Sequence, residues 1–178
     1  CGYGPGTRDV NHHNRVTDNH IHHGGEIYWH APGIFVWQSG SNLIANNLIH
    51  DLGYTGIVVS GVRPHFFKRE DLRECARTIR RDEVGDVTEW PAIVRFLHAR
   101  DNIVEDNEVH HVMQVLGDGN AIYISGAGEG NIIRRNYCHH LLDWGVQSAI
   151  RTDDYQSGTL ITQNVIWRCA TGGITLKH

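Results

Sequence analysis

Residues 42–50 read NLIANNLIH and residues 102–110 read NIVEDNEVH, one nine-residue frame written twice. The frame is N-x-[aliphatic]-x-x-N-x-[aliphatic]-H. It also stands at residues 14–22 as NRVTDNHIH and at 131–139 as NIIRRNYCH. A fifth copy, TLITQNVIW at 159–167, keeps the second Asn and both aliphatics but replaces the first Asn and the His. The second Asn falls at Asn19, Asn47, Asn107, Asn136 and Asn164, at spacings of 28, 60, 29 and 28. The long spacing equals one further repeat plus an insertion.

A second short motif follows each frame. It reads GIFVWQSG from Gly33, GIVVSG from Gly56, AIYISG from Ala121, AIRTDD from Ala149 and GITLKH from Gly173. Apolar and polar residues alternate in each, which is the period of a strand. A repeat of this size cannot bury its own apolar face and must stack on its neighbours. Short strands repeated without helices predict a parallel β-helix, with coils about 4.8 Å apart. Val16, Ile44, Val104, Ile133 and Ile161 should form one inward ladder, and Ile21, Ile49, Val109, Cys138 and Ile166 another. The two Asn positions should bond amide to amide along the axis.

The composition agrees. The chain has 178 residues, 40% hydrophobic and 20% charged, with a formal net charge of −4. That is long enough for one buried core, and is neither disordered nor basic. Nucleic acid and anionic membranes are therefore not the expected partners. No apolar run reaches the length of a membrane span. The opening CGYGPGTRDV shows no signal peptide. The four cysteines form no CxxC pair and are read as free or buried thiols, although spacing alone does not settle disulfides.

The insertion runs from about Val62 to Ala99. Leu72, Cys75, Ala76 and Ile79 fall at three-to-four spacing, predicting a short amphipathic helix. The whole of 1–178 is thus read as an all-β solenoid of about five coils or more, with one partly helical insertion. The last coil carries no polar cap, so further coils of a longer chain, or another chain, are expected to cover the ends.

Strand phase selects the outward residues. One outward row is Trp37, Ser60, Ser125, Asp153 and Lys177, and the adjacent row is Phe35, Val58, Tyr123, Arg151 and Thr175. Rings at one end and charges at the other suit an extended glycan, whose flat sugar faces stack on aromatics. Asp153 and Asp154 stand where other coils carry Ser-Gly or Lys-His. Asp118 lies on the approach to the neighbouring strand. Glycoside hydrolysis needs two carboxyls flanking the bond, so Asp118 with Asp153 or Asp154 is the candidate catalytic set. The competing readings are an Asx turn for the pair and a DG turn for Asp118. Tyr123, Arg151, Lys177, Trp37 and His178 are the candidate substrate contacts. The insertion should rise beside this site, and Arg63, His65, Glu89 and Trp90 could reach it.

His22, His50, His110 and His139 form a ladder of their own. A row along one corner does not by itself converge on an ion, so stacked imidazoles bonded to backbone are expected, with no metal and no cofactor.

The frame N-x-I-x-x-N-x-I-H-x-x-G-x-x-G-I resembles the right-handed parallel β-helix repeats of bacterial carbohydrate-active enzymes. The run from Asp118, Ile122 and Tyr123 to Ile150, Asp153, Asp154, Ser157 and Gly158 is similar to the core of glycoside hydrolase family 141. Arg151-Thr152 departs from that pattern, where the family often has Tyr and an aliphatic residue. The resemblance implies an Asp pair acting as acid and as base or nucleophile, with fucosidase- or xylanase-like activity on a polysaccharide, in a secreted or periplasmic setting. A polysaccharide lyase or uronate epimerase is the first alternative, with Lys177 or a His as base and Arg151 holding a carboxylate. A non-catalytic carbohydrate-binding protein or adhesin is the second.

Overall fold

A computed structural model describes residues 10–63, 87, 89, 92–142, 144–169 and 171–177, the side chain of Val146 excepted. Among these residues the chain makes five coils. The first holds β1 (Asn11–His12), β2 (Arg15–Thr17), β3 (His20–His22) and β4 (Ile34–Trp37). The second holds β5 (Ser39–Gly40), β6 (Leu43–Ala45), β7 (Leu48–His50) and β8 (Ile57–Ser60). The third holds β9 (Ile103–Glu105), β10 (Glu108–His110) and β11 (Asp118–Ser125). The fourth holds β12 (Ile132–Arg134), β13 (Tyr137–Leu141) and β14 (Val146–Asp153). The fifth holds β15 (Leu160–Thr162), β16 (Val165–Cys169) and β17 (Ile174–Leu176). Three five-stranded parallel sheets result, ordered β2-β6-β9-β12-β15, β3-β7-β10-β13-β16 and β4-β8-β11-β14-β17, with β1 paired to β5. The fold is a parallel β-helix.

The two frame asparagines explain the corners. The residue before the second Asn is left-handed in every coil: Asp18, Asn46, Asp106, Arg135 and Gln163 have φ of 53–61°. Among residues other than glycine, Asn and Asp tolerate that region best, and the others lose about 1–2 kcal/mol there. The Asn that follows offsets the turn. Asn47 Nδ2 donates to Asn107 Oδ1 at 2.9 Å, and Asn107 Nδ2 to Asn136 Oδ1 at 2.9 Å. The backbone N–H of each also donates to the same neighbour's oxygen, at 3.1 Å. The first-Asn ladder works alike through Asn42, Asn102 and Asn131.

Both inward ladders stand in the expected register, with Ile44 opposite Val104 and Val109 opposite Cys138. Ile44, Ile49, Ile133 and Cys138 are fully buried, each aliphatic worth about 1.5–3 kcal/mol relative to exposure. Burial raises the thiol pKa of Cys138, first by desolvation and then by the neighbouring Cys169. Both thiols are free.

One slot of the third sheet is small in every coil: Gly33, Gly56 and Gly173 just before β4, β8 and β17, and Ala121 and Ala149 inside the longer β11 and β14. Gly56 shows why. A Cβ there would lie 2.5 Å from Val109 Cγ1 and 2.8 Å from the Ala121 carbonyl.

The long excursion leaves after Ser60 and returns without disturbing register, since Val59 still faces Ile124 and Ser60 faces Ser125. The expected helix at 72–79 lies outside the described residues. The described return contains a 3₁₀ turn at Val94–Phe96. There Ile93, Phe96 and Leu97 join Val62 in a second small core that packs on Trp37 and Val87.

Candidate carbohydrate-binding groove and carboxylate cluster

The site lies on the outer face of the third sheet. Phe35, Val58, Tyr123, Arg151 and Thr175 fall in one row, as strand phase requires. Trp37, Ser60, Ser125 and Asp153 fall in the next. The Lys177 amide continues that row by donating to the Thr152 carbonyl at 3.0 Å. A groove of about 440 Å³ follows the first coils, lined by His30, Pro32, Phe35, Trp37, Tyr54, Val58, Ser60, Arg63 and Tyr123. Phe35 is exposed and offers its face. Trp37 is half-buried, because the second small core seats its other side. His30 packs edge-on against Tyr54, with ring centroids 4.2 Å apart.

The groove ends against charge. Strand phase sets Arg151 and Asp153 outward, yet both side chains are only 7% exposed. Arg151 Nη2 donates to Asp153 Oδ2 at 2.7 Å, and Nη1 to Asp118 Oδ1 at 3.2 Å. One guanidinium therefore holds carboxylates from two adjacent coils, whose bonded oxygens lie within about 8 Å of each other. Asp118, the first residue of β11, is 86% exposed. Asp153 also meets Lys177 Nζ at 3.1 Å, the Asp154 N–H at 2.9 Å and the Tyr123 hydroxyl at 3.3 Å.

Burial would raise the Asp153 pKa, but the Asp154 amide, Lys177 and Arg151 outweigh it and hold the carboxyl below its ordinary value. Tyr123 is pushed up to about 12, by burial first, with the charges of Asp153 and Asp154 adding to it. Burial also raises Tyr54, and the Asp118 charge adds to the effect.

Asp154 turns away in the left-handed region, at φ 52°. Its Oδ2 accepts from the Ser125 hydroxyl and pairs with Arg63 Nε at 3.1 Å. Asp153 and Asp154 are thus held by different partners, and neither makes a simple Asx turn.

The sequence-selected residues Asp118, Asp153, Tyr123, Arg151 and Lys177 come together here, with Asp154 joined through Ser125 and Arg63. Trp37 stands in the groove with Arg63. Glu89 is exposed, and no contact of it with the site is seen among the described residues. His178, His65 and Trp90 lie outside the described residues. Tyr54 and His30 were not selected, because they sit in corner segments rather than in the alternating strands.

No family model and no curated protein matches the sequence. The fold does have a counterpart. It is similar to XylC, whose structure was solved as a complex with xylose, at a TM-score of 0.54 and 16% identity. The match covers 91% of this chain and 26% of the XylC chain, so the chain spans about a quarter of that protein. At this identity the likeness speaks to the fold. The resemblance to glycoside hydrolase family 141 rests on the motifs in the sequence.

Proposed function

We propose that this chain carries the site of a glycoside hydrolase acting on a polysaccharide or oligosaccharide outside the cytoplasm, with Asp118 and the Asp153–Asp154 pair as its working carboxyls. One observation carries the reading: Arg151 ties carboxylates of neighbouring coils together at the end of an aromatic groove. Retaining hydrolysis uses carboxyls about 5–5.5 Å apart and inverting hydrolysis about 6.5–9.5 Å, and the span allowed by one guanidinium falls among these.

Asp153, held ionised, suits the base or nucleophile. Protonation of the leaving oxygen then falls to Asp118 or Asp154. The cluster is costly as pure structure. Arg151 is buried, and its Nε has no hydrogen-bond partner among the described residues. Buried charges with incomplete bonding are poor stabilisers, and such groups cluster at functional sites. The groove rings supply stacking faces for sugars leading up to the carboxyls. XylC was solved with xylose, which makes xylose-containing oligosaccharides sensible first substrates.

The lyase reading asks Arg151 to hold a substrate carboxylate, but both its terminal nitrogens are already engaged. Products separate the readings. Incubation with xylan, fucose-containing glycans and polyuronates should yield saturated reducing ends, and Asp153→Asn and Asp118→Asn should lower the rate by at least about a hundredfold. An unsaturated product end would replace the hydrolase with a lyase. Binding without turnover, unchanged in both variants, would leave a binding protein.

A further inference from the structure

The histidine ladder lies on another sheet and is not absorbed by this function. His22, His50, His110 and His139 stack ring on ring, with centroids 5.3, 4.8 and 4.7 Å apart. Among the described residues no backbone group bonds these rings, contrary to the sequence expectation. They bond other side chains. His110 Nδ1 lies 2.7 Å from His111 Nδ1, and His139 Nδ1 lies 2.6 Å from His140 Nδ1.

A row of imidazoles lacks convergence, but Glu108 supplies it. Glu108 and His110 are two residues apart on β10, so both point outward. His139 faces His110 directly on β13. The Glu108 carboxylate crosses diagonally to His139 Nε2, at 3.0 Å. Ligand atoms of Glu108, His110 and His139 all fall within 4.8 Å of one another. No other coil has this set: the slot of Glu108 holds His20, Leu48, Tyr137 and Val165 in the others.

We propose that Glu108, His110 and His139 form a binding site for a divalent transition-metal ion, zinc first among them. Two imidazoles and one carboxylate suit Zn²⁺ and its first-row neighbours, not Ca²⁺ or Mg²⁺, which need more oxygens. Tetrahedral ligands at 2.0–2.1 Å from zinc stand about 3.4 Å apart; Glu108 and His139 are already that close, at 3.0 Å, so binding asks the stacked rings of His110 and His139, 4.7 Å apart, to tilt toward a shared ion. Three ligands leave one position for water or a substrate oxygen.

The neighbouring histidines complete the arrangement. A histidine that ligates through Nε2 carries its proton on Nδ1 and needs an acceptor there. His111 and His140 each place Nδ1 at that point. Both are left-handed, with φ of 47° and 52°, which turns their rings back onto the ladder. Trp167 packs edge-on against His140 and walls one side.

The test uses chelator-treated, untagged protein titrated with Zn²⁺ by calorimetry, and with Co²⁺ by absorption. One equivalent per chain is expected, with a tetrahedral cobalt spectrum and a raised melting temperature. Glu108→Gln and His139→Gln should each weaken binding at least about tenfold, and His140→Ala by about tenfold through lost orientation. His22→Gln, in the same ladder but outside the set, should bind as the parent does. Circular dichroism of the metal-free variants confirms that each still folds. No saturable uptake, uptake unchanged in Glu108→Gln and His139→Gln, or uptake lost equally in His22→Gln would each overturn the site.

Discussion

Arg63 and Asp154 form an ion pair of 3.1 Å that ties the start of the excursion after coil two to the strand end of coil four. The excursion is thereby anchored at the carboxylate cluster, and Arg63 lines the groove as well. Arg63 is partly exposed, so the pair adds only about 0–1 kcal/mol to stability. Its larger effect should be on positioning. Arg63→Ala should leave the melting temperature nearly unchanged and, if the proposed hydrolysis holds, lower kcat/KM about tenfold on the oligosaccharide cleaved. A melting curve beside steady-state kinetics checks both. A large loss of stability with normal turnover would reverse the assignment.

Arg151 should behave in the opposite way. Its partner Asp153 is equally buried. Removing one member of a buried pair leaves a charge without compensation, at about 3–5 kcal/mol, and Lys177 offsets part of this for Asp153. Arg151→Leu should therefore lower the urea midpoint strongly, and Arg151→Leu with Asp153→Leu should regain much of the loss. The double variant should remain inactive.

The ladders were legible because a coil repeats. Asn, aliphatic and His fall in fixed slots, and a shift of one residue would turn every Ile of the frame outward. The outward rows were legible for the same reason, which is how Asp153, Tyr123 and Arg151 could be grouped. Depth was not legible. Alternation gives the side of a strand, not what covers it, so the burial of Arg151 and Asp153 came only with the fold. The partner of Arg63 was hidden because the excursion obeys no repeat. Glu108 was hidden differently: it meets His139 on a diagonal, and reading one slot at a time misses diagonals.

The Asn ladder gives a graded test. Asn107 is buried and serves four groups: it accepts from the Asn47 amide and side chain, and donates to Asn136 and the Ile44 carbonyl. Each group left without a partner costs about 1–3 kcal/mol. Asn107→Ala should destabilise the protein by several times that of Asn19→Ala, whose side chain sits at the exposed end of the ladder. Parallel urea titrations compare the two, and equal losses would show that the ladder does not act as a continuous row.

Acid should act through Asp153. Its folded pKa is below the ordinary value, so ionisation stabilises the folded state above about pH 4, and that contribution is lost as pH falls through the folded value. Melting temperature measured from pH 6 down to pH 2.5 should drop, and Asp153→Asn should flatten the fall below about pH 4. Asp51 and Asp106, also lowered, keep part of the slope.

A second, milder transition should come from the ladder histidines at higher pH. His22, His110 and His140 are all lowered from 6.5, first by partial desolvation and then by the neighbouring imidazoles, which repel once charged. The unfolded chain therefore takes up protons before the folded one does. The contribution of the neutral ladder is full above about pH 6.5 and is lost as pH falls through the folded values. With chelator present, melting temperature should decline between pH 7 and pH 5, and His22→Gln should make that decline shallower while leaving the acid limb below pH 4 in place. A flat profile over pH 5–7 would mean that the stacked rings carry charge without penalty.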